Sequence, residues 1–206
     1  MKKLILSLVL LSTIVSASEN CIPKNKLYHP VGGKSVNAVT QEEFDNSIKV
    51  AKEIYEPIFK DQYKATLQID SNWEDGTVNA YASRSGDVWK VAMFGGLARD
   101  PLVTVDGFTA VICHEIGHHI GGAPIKTFSW AANEGQSDYF ATTKCLKRIF
   151  RTDIAKTLEI YRNPSITEEQ KLAKEACKKA HRGIREEAIC FRSALAGESL
   201  AKLLGS

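Results

Sequence analysis

Apolar residues along this chain recur mostly at helical spacing, with a short block of alternation between two helical stretches. From Thr40 to about Phe59, the residues Phe44, Ile48, Ala51, Ile54, Tyr55 and Ile58 mark one apolar face, and Thr40-Gln41-Glu42-Glu43 opens the helix as a capping box. Ala65 to Asp70 then alternates, with Leu67 and Ile69 apolar. Thr77 to Ser83 and Val88 to Phe94 flank Ser85-Gly86-Asp87, a hairpin signal. These strands predict a small antiparallel sheet. Helical spacing resumes at Phe108, Val111, Ile112 and Ile116, behind Asp106 as the expected N-cap, and stops at Gly121-Gly122 and Pro124. A long helix is predicted from Glu134 to Phe150 and a short one from Thr152 to Tyr161. A third runs from the Thr167–Gln170 capping box to about His181, and a last one spans Ile184 to Leu204. The pattern is that of an α+β domain ending in a helical bundle.

Composition adds limits. A chain of 206 residues suits one domain with a real core. A net charge of +3 is too small to point to nucleic acid. Met1-Lys2-Lys3, the apolar run Leu4 to Val15 and the small residues Val15-Ser16-Ala17 read as a cleaved export signal over 1–17. The apolar run is short for a span of about 20 residues, which favours cleavage over a retained anchor. Cys21 has no lipobox before it. The irregular arm covers 18–39, with Pro23, Pro30 and Gly32-Gly33. A single domain covers 40–206, with its core at about 77–150 and a helical part at 151–206. The expected location is the periplasm or the cell exterior. Export permits disulfides, and the five cysteines leave at least one unpaired within the chain. Cys113 is the expected outlier, as a buried core thiol. One bridge is expected among Cys145, Cys177 and Cys190, with the pair left open.

The chemistry is concentrated in Cys113-His114-Glu115-Ile116-Gly117-His118-His119. His114 and His118 lie one helical turn apart on one face, so both imidazoles can reach one metal ion. Glu115 sits roughly 100° further round, beside a metal-bound water rather than on the metal. Zinc lowers the pKa of such a water to about 7, and a neighbouring carboxylate can take its proton. Catalytic zinc commonly keeps three protein ligands and one water position. Gly121 fits a further histidine pattern, but Pro124 stands where its third histidine belongs. A carboxylate on the next helix is the other option. In Asn133-Glu134-Gly135-Gln136-Ser137-Asp138, Glu134 can close the site. Asp138, on the same helical face, can orient a ligating histidine, expected to be His114.

His114-Glu-x-x-His118 followed by Glu134-x-x-x-Asp138 resembles the gluzincin metallopeptidases. Asn79-Ala80-Tyr81-Ala82, then a strand ending in Gly95-Gly96-Leu97, then the histidine helix, narrows the likeness to the family of HtpX and the CAAX prenyl protease. Ser137 replaces the alanine usual in that family's Glu-x-x-Ala-Asp motif. The resemblance covers roughly Thr77 to Phe140. It implies a zincin-like α+β fold, one zinc per chain and a zinc endopeptidase acting on a protein or peptide. The best-known members are membrane-embedded, so a soluble, exported version is implied. The resemblance also places the strand Val88 to Phe94 at a sheet edge above the zinc, where Val88, Lys90 and Ala92 could pair with an extended substrate. A downstream histidine lies near the site in that family. His181, with Arg182 or Arg185, is the candidate here for stabilising an oxyanion, although the usual His-Pro pairing is absent; Tyr81 or Tyr139 could serve instead.

Other readings stand beside these. Gly95-Gly96 suits either close approach to a substrate or a turn. His119 points away from His118 and suits packing or solvent, and His29 carries no role. Lys144, Lys147, Arg148, Arg151, Lys178, Lys179 and Arg182 form a basic helical surface, solvated by default, that could favour peripheral membrane or envelope-complex association. The alternative function is a zinc-containing, non-catalytic or chaperone-like peptide-binding protein of the cell envelope.

Overall fold

The computed structural model describes residues 19–23, 25–33, 38–127 and 129–205. The export signal expected over 1–17 lies outside them. The first main element is helix α1, Gln41–Ile58. Thr40 caps it and Glu43 reaches back to the Thr40 backbone, so the capping box forms as its residues dictate. One π-helical turn, Phe59–Tyr63, continues it to Lys64, which takes a left-handed conformation and ends the run.

The sheet follows. Strands β2 (Thr66–Asn72), β3 (Ala80–Ser85) and β4 (Val88–Phe94) are joined at one edge by the two-residue strand β1 (Glu19–Asn20). The order is β1-β3-β4-β2. β3 and β4 form the expected hairpin, with Gly86 at positive φ in its turn. The expectation of an all-antiparallel sheet is overturned, because β2 pairs with β4 in parallel, from Thr66↔Val88 to Asn72↔Phe94. The chain leaves β2, crosses to the far side and returns through the hairpin into the gap. Alternation reports which face a strand buries and says nothing of its direction. The same order overturns the edge position of Val88, Lys90 and Ala92. β4 is paired along both sides, so it offers no free edge to a substrate.

Leu67 and Ile69 of β2, Ala80 and Ala82 of β3, and Val91 and Met93 of β4 are buried in the core. Helix α2 (Gly95–Ala98) ends the sheet. A Cβ on Gly95 would sit 1.9 Å from the Trp73 carbonyl oxygen, and one on Gly96 would sit 1.9 Å from that of Gly76. The glycine pair therefore lets the chain pack on its own backbone rather than on a substrate. Helix α3 (Val105–Ile120) carries the histidines and packs on the sheet beside α1.

The long helix expected over 134–150 is continuous but not uniform. It runs as α4 (Glu134–Phe140), one π-helical turn (Ala141–Cys145) and α5 (Leu146–Thr152). Helices α6 (Ile154–Arg162), α7 (Glu168–Ala180) and α8 (Ile184–Leu204) complete the chain. α8 lies against α3 and returns to the N-terminal end of that helix. Ser199 Oγ there accepts from the Thr104 N–H at 2.9 Å and donates to the Leu102 carbonyl at 2.9 Å. Arg192 on α8 pairs with Asp106 at 2.7 Å. A small second cluster of Tyr161, Cys177, Ala188 and Phe191 holds α6, α7 and α8 together. Among the described residues, no helix is long and apolar enough to cross a membrane.

The cysteines pair as Cys113–Cys145 and Cys177–Cys190, leaving Cys21 free. Cys113 is therefore not the outlier. It points away from His114, as its position on the helix requires, and that direction leads across to the π turn at Cys145.

Candidate metal centre

The N-cap of α3 is Thr104, whose hydroxyl accepts from the Gly107 N–H at 3.1 Å. Asp106, the expected cap, lies in the first turn, where its charge suits the positive end of the helix and meets Arg192. At the other end of α3, Glu115 is fully buried and His114 and His118 are nearly so. The two imidazoles stand one turn apart with ring centroids 4.7 Å apart.

A short loop brings α4 back to this face. The Ala132 N–H donates to the His118 carbonyl at 2.9 Å, and the Asn133 N–H donates to that of Pro124 at 2.9 Å. Asn133 then caps α4 by accepting from the Gln136 N–H at 2.9 Å, so Glu134 is the first residue of the helix. Gly117 sets the spacing between the helices. A Cβ there would lie 3.0 Å from both the Cα and the carbonyl oxygen of Ser137. Any larger residue would push α4, and Glu134 with it, away from the histidines.

Each imidazole is held by Nδ1. The Nδ1 of His114 is 2.7 Å from Asp138 Oδ1. That of His118 is 2.8 Å from the Ala132 carbonyl and 3.0 Å from Ser137 Oγ. Donation from Nδ1 leaves Nε2 with a free lone pair on both rings. Glu134 Oε2 lies 2.9 Å from His114 Nε2 and 3.6 Å from His118 Nε2. Even so, among the described residues neither nitrogen has a hydrogen-bond partner of suitable geometry, and neither do the two buried carboxylate oxygens of Glu115. Lys126 Nζ lies 2.6 Å from the other oxygen of Glu134.

Burying donor atoms without partners costs folding free energy, about 1–3 kcal/mol for each group. Their convergence here suits an ion. One donor atom each from His114, His118 and Glu134 lies within 4.8 Å of the others, two nitrogens and a carboxylate oxygen, a set that fits zinc.

The charges respond to this crowding. Burial raises the Glu115 carboxyl to about 8, against the pull of His114. Burial alone would lower His114, but the hydrogen bond to Asp138 and the Glu134 carboxylate close beside the ring outweigh it and hold it at about 9. Burial alone would raise Glu134, but His114 and Lys126 draw it down to about 2. His118 is lowered, first by burial and then by its charged neighbour His114.

The remaining candidates lie apart from this group. His119 is buried and stacked between Trp89 and Trp130, with centroids 5.5 and 4.8 Å away. Its Nε2 donates to the Lys90 carbonyl at 2.9 Å, and burial pushes its pKa down to about 3, so it packs as a neutral ring. His181 is the C-terminal cap of α7 and does not line the cavity at His114. His29 pairs with Asp100 at 2.9 Å. Lys126, the Ala132 carbonyl and the Ser137 hydroxyl join the site without having been expected. The loop that delivers Lys126 and Ala132 has no periodicity to mark them out, and Ser137, on α4, stood out only as a replacement for alanine.

A cavity of about 590 Å³ opens beside the group, walled by His114, Glu134 and Asp138 and by the apolar Leu146, Leu200 and Leu204. A family model described as Peptidase family M48 matches residues 49–159, more than half of the chain. The chain belongs to peptidase family M48. The match spans both helices that carry the site, and M48 peptidases are zinc metallopeptidases, in keeping with the donor set. Comparisons with curated proteins and with solved structures returned no match.

Proposed function

We propose that the chain is an exported zinc endopeptidase with a zincin-like arrangement of sheet, histidine helix and carboxylate helix. The observation that carries this reading is the pair of buried Nε2 atoms beside a buried, unpartnered Glu115, with both Nδ1 atoms already engaged. His114, His118 and Glu134 would hold the metal. Asp138 fixes the His114 ring, and the Ala132 carbonyl fixes that of His118. Zinc, when bound, supplies Lewis acidity and a water of lowered pKa.

Glu115 is the general base. Its burial raises its proton affinity towards neutral pH, so it can take a proton there and return it to the departing amine. An extended peptide would add to the outer edge of β3, the strand of the sheet nearest α3 on that side. An apolar side chain of that peptide suits the cavity lined by Leu146, Leu200 and Leu204. The segment 1–17 and the two disulfides support export, because disulfides persist in oxidising compartments.

Cleavage of an unfolded protein such as casein tests the proposal. Glu115→Gln should lower the rate by about 10²–10⁴-fold while zinc content stays unchanged. Full activity in that variant would refute the mechanism. Zinc without cleavage in either form would favour the peptide-binding alternative.

A further inference from the structure

Cys21 is the one free cysteine among the described residues, and its thiol is inside the site. Cys21 Sγ, a His114 ring nitrogen and a Glu115 carboxylate oxygen lie within 4.8 Å of one another. His114 belongs to this group and also to the group with His118 and Glu134, so the thiol stands on the Glu115 side of the shared imidazole, next to that second group and not yet within it. The atoms that the thiol meets are the ones left unpaired. Among the described residues, His114 Nε2 and both Glu115 oxygens are buried without hydrogen-bond partners, and His118 Nε2 is beside them. Those orphaned donors call for a ligand independently of the cysteine.

The thiol is delivered by a strand. Glu19 and Asn20 pair antiparallel with Ala82 and Tyr81 of β3. The Cys21 N–H donates to the Ala80 carbonyl at 2.9 Å. Asn79 then clamps the next residue from both sides, accepting from the Ile22 N–H at 3.0 Å and donating to its carbonyl at 3.0 Å. Ile22 is buried in the core, and Cys21 and Pro23 line the site cavity with it. The segment therefore lies as an added strand on the edge assigned above to a substrate. The Asn79 clamp fixes which residue faces His114.

We infer that the Cys21 thiol closes onto the metal as a fourth protein ligand when zinc binds, and that the chain folded in this way is a closed, latent form. The inference rests on the metal reading of His114, His118 and Glu134. The thiolate is the zinc-binding form of cysteine. On closing, the thiol proton goes to solvent, the S–Zn bond forms and the water leaves the metal. On opening, the sulfur leaves, takes up a proton, and water returns. Zinc with four protein ligands has no position for a reacting water. Lifting residues 19–22 frees the water position and the peptide-binding edge together, so one movement governs both.

Zinc K-edge X-ray absorption on the zinc-loaded full chain, with disulfides intact, tests this. The other cysteines are tied up in Cys113–Cys145 and Cys177–Cys190, so a sulfur neighbour can come only from Cys21. The expected result is one sulfur at about 2.3 Å in the wild type and none in Cys21→Ser. Iodoacetamide should label Cys21 slowly in the zinc-loaded protein and quickly after chelation. Casein cleavage by Cys21→Ser should rise about tenfold or more, as for a site otherwise open a tenth of the time or less. Bound zinc with nitrogen and oxygen neighbours only, or labelling indifferent to chelation, overturns the inference and leaves the zinc site standing. Absence of bound zinc overturns both. If Cys21→Ser does not fold, the wild-type spectrum and the labelling rates decide alone.

Discussion

The two ends of α3 bury charge in opposite ways. At the N-terminal end, Arg192 meets both oxygens of Asp106 at 2.7 Å and also donates to Thr157 Oγ1 at 2.9 Å. At the other end, two imidazole nitrogens and a carboxylate are buried without a hydrogen-bond partner among the described residues. The first arrangement is self-contained and ties α8 to α3. The second is incomplete unless something else enters it. Buried charge alone does not mark a site; buried charge left unsatisfied by its own chain does.

Mutation should separate the two ends. Arg192→Ala leaves Asp106 without its partner and should cost about 3–5 kcal/mol of stability, read as a lower denaturation midpoint. Cleavage per folded molecule should stay unchanged. Glu115→Gln should do the reverse, removing activity without loss of stability. If both variants lose stability alike, the contrast between the ends fails.

Smaller changes sharpen it. Asp138→Ala frees the His114 ring and should weaken zinc affinity about 10–100-fold, measured by competition with a chromogenic chelator. Gly117→Ala forces a Cβ against the Ser137 backbone and should cost about 1–3 kcal/mol, with the weaker zinc binding tracking the shift of Glu134. An unaltered zinc affinity in the Gly117 variant would mean that helix spacing does not set the site.

The smallest effect expected is on pH. Glu115 is raised from 4.5 to about 8, so the folded chain holds this proton more tightly than the unfolded one. Its contribution to stability is present at low pH and fades between those values. His114, raised from 6.5 to about 9, contributes below 6.5 and loses that contribution as pH rises through 9. Metal-free protein should therefore melt at progressively lower temperature as pH climbs from 6.5 to 9. Glu115→Gln should flatten part of that slope. A rising melting temperature over this range would contradict the assigned directions.

Much of the fold was legible where a local rule has a local cause. The capping boxes at Thr40 and Thr167 open α1 and α7 at the positions they predict, and the 184–204 periodicity matches α8. The site group was legible because its members sit on two helices with fixed angular spacing. What stayed hidden depends on how distant segments meet. The parallel pairing of β2 with β4 and the burial of β4 inside the sheet follow from the crossover, which alternation does not encode. The π turn at Ala141–Cys145 leaves the apolar pattern nearly intact while turning Cys145 towards Cys113. The odd cysteine count announced a free thiol, but its position on β3's edge came only with the folded arm.

The central claim is that His114, His118 and Glu134 form one zinc site. Zinc content per chain after dialysis against metal-free buffer, wild type beside His118→Ala, tests it most directly. The account predicts one zinc per chain in the wild type and essentially none in the variant. A wild type without zinc, or a variant that retains it, would contradict the account.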